Sequence, residues 1–408
     1  MLNILWAGFF IFAFGGALIQ SFSGNTEVWS EIVKSIFANA ESAFRISLNL
    51  TGILCFWLGL MKIAEASGLT NLLAKCLKPL FHKIMPDVPD NSPAFGSIVM
   101  NIAANVLGLD NAATPMGLKA MEQLQEVNPH KDRASDAQIL FMVINSSAVT
   151  LIPITILMYR FQAGSSAPAA VFIPILIATS ASTIVGFLAT SLWQKINIFN
   201  RVVGLYLLAG MSFVIGVAWF FLSLNENDRT YFSYLISNVV LFALVIIFIF
   251  SGLVKKLNVY ELFIEGAKDG FKIAVQIIPY LVAMLVAIGV FRASGGFDYV
   301  CDWLAELFEK IGLNTDFVDA IPTALMKPLS GSGARAMMLD AFSAYGVDSF
   351  VGFTSSIIQG STETTFYVLA VYFGAVKISK TGAALPLALL ADLAGIITAV
   401  AVAYMFYH

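Results

Sequence analysis

Residues 45–81, RISLNLTGILCFWLGLMKIAEASGLTNLLAKCLKPLF, lie on residues 272–308, KIAVQIIPYLVAMLVAIGVFRASGGFDYVCDWLAELF, without a gap and with nine identities in 37 positions. Ala66-Ser67-Gly68 falls on Ala293-Ser294-Gly295. Apolar segments match one another by composition, so the order of the downstream features carries more weight. Gly108 and Leu118-Lys119-Ala120 answer Gly331 and Leu339-Asp340-Ala341, Ser146-Ser147 answers Ser355-Ser356, and Pro174 heads a last apolar span as Pro386 does. Each copy also carries a helix-breaking polar segment set in apolar sequence, at residues 101–115 and 327–335. Internal duplication with interrupted helices is an arrangement of membrane transporters.

Composition agrees. The 408 residues are 58% hydrophobic and 12% charged, with a mean hydropathy of +0.82, whereas soluble domains carry about a quarter charged residues. Apolar runs of about 20 residues suffice to cross a hydrocarbon core, and nine are read at 3–20, 46–61, 137–159, 168–193, 202–224, 231–254, 273–291, 350–373 and 383–407. Segments 27–44, 69–84, 259–271 and 297–311 mix apolar residues at helical spacing with charges and are read as interfacial helices. The second and fourth match between the copies and are arms bracing a core, or plain connectors. With Met1 in the cytoplasm, 15 of the 23 Lys and Arg residues fall on the cytoplasmic side, as the positive-inside bias requires. The N-terminus is then inside and the C-terminus outside, and an odd number of crossings separates the copies, which inverts the second relative to the first.

The expected fold is an all-α polytopic membrane protein of two inverted-topology repeats, each with an arm helix, a re-entrant hairpin and a broken transmembrane helix. Residues 1–44 hold an N-terminal transmembrane helix and an interfacial helix, 45–200 the first repeat, 201–258 two linking helices and 259–408 the second repeat. Segment 1–20 lacks a basic start and a good small-residue cleavage site, so it is kept as a span. Cys55, Cys76 and Cys301 have no metal-like spacing. A net charge of -3 points to no nucleic-acid partner, and His82, His130 and His408 accompany neither a nucleophile nor metal ligands, which argues against an enzyme, a cofactor or a metal site.

Four polar segments carry the chemistry. In residues 101–115, Asn101 and Asn105 share one helix face, and a Gly-Leu-Asp-Asn break precedes a second helix that Asp110 or Asn111 caps, with Thr114 and Pro115 in its first turn. Its counterpart, Lys327-Pro-Leu-Ser330-Gly331-Ser332-Gly-Ala-Arg335, leaves backbone N–H groups at a helix start beside two cations, a cradle for a carboxylate, phosphate or electron-rich carbonyl. Each tip faces an interruption in the following span, Asn145-Ser146-Ser147-Ala-Val-Thr150-Leu-Ile-Pro153 and Ser355 through Gln359-Gly-Ser361-Thr362-Glu363-Thr364-Thr365. Glu363 inside a span is costly unless paired or hydrated. It carries a proton, helps coordinate Na+, or forms a structural pair with Arg335 or Lys327; Asp392, in the last span, poses the same choice. Irregular backbone at membrane depth survives only inside protein or along a wet cavity. The alternative is that these groups only satisfy one another.

At these residues the chain resembles known families: 101–121 with 145–153 is similar to spore maturation protein A, and 327–340 with 359–364 to spore maturation protein B. The whole, from about residue 46 to 407, resembles a fusion of the two. Both belong to the nucleoside recognition or Gate-domain group, which is similar to the core of concentrative nucleoside transporters and to the membrane part of the ferrous iron transporter B. The resemblance implies a transporter-like fold with two hairpins and opposed broken helices, with solute and cation held at positions matching Asn101, Asn105, Asn111, Ser330, Ser332 and 359–363. Asparagines stand where an acid for ribose is expected, and neither a GTPase motif nor a Cys/His cluster for iron is present.

A secondary transporter of a small polar solute, anionic or zwitterionic and nucleoside-like at most, is therefore expected in a bacterial cytoplasmic (inner) membrane. Asn101, Asn105, Asn111, Thr114, Asn145, Ser146, Lys327, Ser330, Gly331, Ser332, Arg335, Gln359, Ser361 and Thr362 are candidates for solute contact, and Glu363, Thr364, Ser147, Thr150 and Asp392 for coupling to H+ or Na+. The expected partners are the lipid bilayer, the solute, the ion and a second or third copy of the chain in a homo-oligomer, dimer or trimer. Two rivals are a non-transporting membrane scaffold or receptor in envelope or spore maturation, and a translocator of a lipid-linked headgroup.

Overall fold

The computed structural model describes residues 2–106, 110–151, 153–310, 312 and 314–407. After α1 (Leu2–Phe22), two runs of elements follow the same order. The first is α2 (Val28–Ala66), α3 (Leu69–Ile84), the pair α4 (Ala94–Val106) and α5 (Asp110–Val127), α6 (Asp136–Ser146) and α7 (Ile154–Gln162) on either side of a break, and α8 (Phe172–Gln194). Helices α9 (Arg201–Leu222) and α10 (Glu226–Val254) lead to the second run. It consists of α11 (Val259–Ala293), α12 (Gly296–Lys310), the pair α13 (Ile321–Met326) and α14 (Gly331–Tyr345), α15 (Phe350–Gly360) and α16 (Thr365–Ala375) around a second break, and α17 (Ala384–Tyr407). No strand occurs among the described residues.

Among the described residues, five segments are long and apolar enough to cross a membrane: Val28–Ala66, Pro168–Gln194, Arg201–Phe221, Leu235–Val254 and Ala384–Tyr407. The protein is a multi-pass membrane protein. Of the nine expected crossings, 137–159 and 350–373 are each divided into two helices of 9 to 11 residues. The segments 27–44 and 259–271 are not separate interfacial helices: they continue unbroken into the apolar parts of α2 and α11, 39 and 35 residues long. At 1.5 Å per residue α2 runs about 58 Å, nearly twice a hydrocarbon core of about 30 Å.

The repeated Ala-Ser-Gly has a local cause. Gly68 and Gly295 both adopt positive φ, 81° and 72°, a conformation open to glycine without steric cost, and there the chain leaves α2 or α11 and enters α3 or α12. Ser67 Oγ donates to Ala64 O and Ser294 Oγ to Phe291 O, 2.9 and 2.7 Å. Polar caps set other starts: Asn200, Asn225 and Asn258 cap α9, α10 and α11, and Ser135 forms a capping box with Gln138 at α6, each satisfying an orphan backbone donor.

Repeat-related helices pair with each other and run antiparallel. Along α2 and α11, Gly59 meets Phe263, Gly266 meets the Leu58 carbonyl, Gly270 meets Cys55, and Gly289 meets Asn39. A side chain at Gly266 or Gly270 would strike backbone, so this four-residue glycine spacing permits the close approach. Along α8 and α17, Gly186 packs on Ala391 and Gly395 on Ser182, whose Oγ donates to Ala391 O at 2.8 Å. Two cores flank this frame. One joins α4, α5 and α6 to α16, around Phe95, Leu124, Phe141 and Phe373; the other joins α13, α14 and α15 to α7 and the α2/α11 pair, around Met326, Met338, Ile357 and Leu157. Each core thus combines the helix pair of one repeat with half of the other repeat's broken helix.

Candidate functional site

The two breaks meet. The amide of Glu363, in the break between α15 and α16, donates to Ser146 O at the end of α6, 2.8 Å. Each break is also tied to the helix pair of its own repeat: Leu151 N donates to Val106 O at the end of α4 (2.9 Å), and Phe366 N to Pro328 O in the turn before α14 (3.0 Å). Interrupting a helix frees amides and carbonyls that must be satisfied inside the protein. Here these backbone contacts tie the four polar segments to one another, and Thr183 of α8 adds a hydroxyl donated to Ser147 O.

The equal lengths of α6 and α15, 11 residues each, and their serine caps Ser135 and Ser349 set the register between the repeats. Ser146 stands opposite Gly360, so the expected match of Ser146-Ser147 with Ser355-Ser356 is displaced by five residues.

On the first side of the crossing, Asn101 is fully buried and central. Its Nδ2 donates to Ala113 O (2.7 Å) and to Tyr372 Oη (3.2 Å), while its Oδ1 accepts from Asn145 Nδ2 and, at 3.5 Å, from Asn105 Nδ2. Tyr372 Oη in turn donates to Asn145 Oδ1 at 3.4 Å. Helices α4, α6 and α16, from both repeats, are joined in one amide and phenol network. Gly117 of α5 lies against the Tyr372 hydroxyl, where a Cβ would collide with it.

On the second side, Ser330 caps α14, its Oγ accepting from Gly333 N at 3.0 Å and lying 3.2 Å from Ser332 Oγ. Of the amides expected to be free at this helix start, Gly333's is therefore taken, and those of Gly331 and Ser332 have no partner within the helix. Gly331 rests on Thr364, whose Oγ1 would lie 2.7 Å from an added Cβ. Lys327 is buried, and close enough to Asp392 for their charges to attract. Asp392 Oδ2 accepts from Thr365 Oγ1 at 2.7 Å.

The structure gathers most of the expected residues and disperses a few. Asn101, Asn105 and Asn145 form one cluster; Lys327, Thr365 and Asp392 form another; Ser146, Ser147 and the Glu363 backbone lie at the crossing. Ser361 is buried and donates to Ile358 O (2.8 Å), Gln359 and Thr362 are buried, and the Glu363 side chain is exposed. Thr114 and Thr150 are half-buried. Arg335 is turned to the first repeat, its guanidinium 5.5 Å from the Tyr159 ring centre, and forms no ion pair with Glu363. Gly108 and the side chains of Asp110, Asn111 and Pro115 lie outside the described residues. Tyr372 and Thr183 were not singled out from the sequence, and Thr365 only as the last residue of the second polar interruption. A polar count along 179–183, Thr-Ser-Ala-Ser-Thr, would have flagged Thr183, whereas Tyr372 sits in an apolar helix with no local signal.

At both ends of the molecule the repeats are clamped to each other. Arg160 of α7, 1% exposed, donates to Val347 O (3.0 Å), Ser356 Oγ (3.2 Å), Ser165 Oγ (3.1 Å) and Asp348 Oδ1 (2.8 Å). Asp348 also accepts from Ser166 N at 2.8 Å, and Tyr407 Oη of α17 donates to Asp348 O at 3.1 Å. At the opposite end Lys380, between α16 and α17, pairs with Asp132 at 2.7 Å, backed by Lys380 N to Asp132 O (3.1 Å) and Ala134 N to Lys380 O (3.0 Å). There Gln194 of α8 donates to Asp136 O at 2.7 Å.

The Gate family model, described as nucleoside recognition, matches residues 47–162 and 274–379. The chain belongs to this Gate family. Spore maturation protein B of Bacillus subtilis (strain 168) is 49% identical over 156 residues, 38% of this chain and 86% of that protein. Spore maturation protein A of the same organism is 39% identical over 184 residues, 45% of this chain and 91% of that protein. Two matched Gate regions and two such relatives make the chain similar to a fusion of both. No solved structure matches it significantly.

Proposed function

We propose that this Gate protein is a secondary transporter of a small polar solute, anionic or zwitterionic and within reach of nucleoside-like chemistry. It is coupled to H+ or Na+ and works by alternating access between repeats of inverted topology. The contact of the two helix breaks, Glu363 N to Ser146 O at 2.8 Å, carries this reading. Two interrupted helices and two helix-pair turns converging on one point form a polar centre inside apolar sequence, the setting in which discontinuous helices hold solutes and ions. The antiparallel run of α2 against α11 and of α8 against α17 supports the inversion. The pairs α4/α5 and α13/α14 act as re-entrant hairpins: α4, with 13 residues, reaches about 20 Å, short of a core of about 30 Å.

Asn101, Asn105 and Asn145 offer the solute a neutral polar end, while Lys327, Ser330 and the Gly331 and Ser332 amides offer an electropositive one, with Arg335 one turn behind. Glu363 stands at the crossing, exposed toward the solute path. The basic-residue bias places the chain in the cytoplasmic membrane of a bacterium, N-terminus inside and C-terminus outside, and the arms α3 and α12 brace it within a homo-oligomer. The relatives' names connect the family to spore maturation, where a solute carrier is the role this reading supplies.

The test is uptake into proteoliposomes of nucleosides, carboxylates and small peptides. One class should accumulate saturably, at a rate at least tenfold lower in Glu363→Gln. If a ligand raises the unfolding temperature and yet no class crosses the membrane, the protein is a receptor and not a carrier.

A further inference from the structure

Asp392 lies mid-way along α17, 1% exposed, and only one of its oxygens is engaged. Oδ2 accepts from Thr365, while Oδ1 is buried without a hydrogen-bond partner. Thr362 Oγ1, in the same break and on a residue 3% exposed, is likewise buried, and it faces the same carboxyl without full hydrogen-bond geometry. Thr362 packs its methyl on Gly395, one turn beyond Asp392, where an added Cβ would come within 2.7 Å of it and within 3.1 Å of Ser361 O. Two charged groups reach the carboxyl, Lys327 in the turn of the α13/α14 pair and Glu363 in the break. The face of α8 packed on this part of α17 offers Ser182, whose hydroxyl is committed to Ala391 O.

This arrangement has two satisfied states. An ionised Asp392 accepts from the hydroxyl of Thr365, with the charge of Lys327 attracting it. A neutral Asp392 carrying its proton on Oδ1 can donate it to Thr362 Oγ1. A buried charge is expensive in a membrane interior unless it is satisfied, and here both the charged and the neutral carboxyl find partners in the α15/α16 break. The first repeat lacks this device: Gly186 against Ala391 and Gly395 against Ser182 place Thr183 where the second repeat has Asp392, and a threonine cannot ionise.

We propose that Asp392 is a proton-binding site, loaded from bulk water, whose occupancy decides whether its carboxyl accepts hydrogen bonds from the α15/α16 break or donates one to it through Thr362. The inference rests on the transporter reading and specifies its coupling ion, H+, and the residue that carries it.

The decisive experiment is pH-difference infrared spectroscopy of the full chain in liposomes, which needs no transport. A protonated-carboxyl C=O band should appear on acidification, vanish in Asp392→Asn, persist in Glu363→Gln and shift in frequency in Thr362→Val, which keeps the fold if Asp392→Asn does not. A band set unchanged by both Asp392→Asn and Thr362→Val overturns the proposal. In uptake assays, Asp392→Asn should lose acceleration by a pH gradient; gradient-driven uptake equal to wild type also overturns the proposal. Should wild-type protein move no solute while the Asp392 band is present, the transporter reading fails and the proton site stands.

Discussion

The two clamps occupy the same place in the repeat pattern and differ in what surrounds them. Each joins the loop after one repeat's helix pair to the loop after the other repeat's broken helix. Yet Arg160 is buried, with four acceptors, whereas Lys380 and Asp132 stand with side chains 70% and 64% exposed. An exposed pair contributes little because water competes for both partners, while removing a buried guanidinium leaves the buried acceptors it served without a donor. A duplicated frame therefore has one firm end and one weak end. In the transporter reading the firm end resists opening and the weak end yields.

The comparison breaks most directly at Arg160. Arg160→Met should cost about 2 kcal/mol of unfolding free energy in detergent, because Ser356 and the Val347 carbonyl lose a buried donor, while Asp348, 39% exposed, keeps Ser165 and Ser166. Arg160→Lys should recover little, since one ammonium cannot reproduce the guanidinium fork. Wild-type stability in Arg160→Met would remove the distinction between the ends. Next in size, bridging cysteines introduced at Asp132 and Lys380 with a bifunctional thiol reagent should block proteoliposome uptake reversibly while leaving the unfolding temperature in place.

Acid should separate the clamps more gently. Burial pushes the Asp348 carboxyl up, but hydrogen bonds from Ser165 and Ser166 and the charge of Arg160 outweigh it and hold the group below the ordinary carboxylate value. A lowered value in the folded state means that its contribution is full above about pH 4, the unfolded value, and is lost as pH falls through the folded one. Between pH 5 and 3 the wild type should lose more stability than Asp348→Asn, read by denaturant midpoints. The smallest effect belongs to the exposed end: Asp132→Asn or Lys380→Met should leave the unfolding midpoint unchanged, and a clear shift would mean that this pair is shielded in the membrane.

Much of the frame was legible from residues because its turns are built from special ones. Ala-Ser-Gly marks both exits into arm helices through the positive φ of glycine, and the polar runs inside 137–159 and 350–373 mark real breaks. The interfacial reading of 27–44 and 259–271 failed for a physical reason: an amphipathic stripe looks the same whether it faces a bilayer surface or a partner helix. In α2 no Gly or Pro separates the stripe from the apolar half, and in α11 Gly266, Gly270 and Pro279 are accommodated within a continuous helix. The register of α6 on α15 was missed because Ser-Ser pairs recur by composition, while the caps Ser135 and Ser349 lie outside the apolar runs. In the candidate site, the Asn101–Asn145 and Lys327–Asp392 groupings follow from polar residues in apolar surroundings. Their joining through Tyr372 and Thr365 depends on which broken-helix half crosses to the other repeat, and that is tertiary information. Arg160 at a span end reads as a snorkelling cation until Asp348 is placed beside it.

The opposed course of the two repeats is tested most directly by sidedness. With Cys55, Cys76 and Cys301 replaced, single cysteines at Asp132 and at Ser166, one beside each clamp, would be exposed in intact cells to a membrane-impermeant maleimide. The expected result is labelling of the Ser166 position from outside and of the Asp132 position only after the membrane is opened. Labelling of both positions from the same side would contradict the inverted arrangement and the transporter built on it.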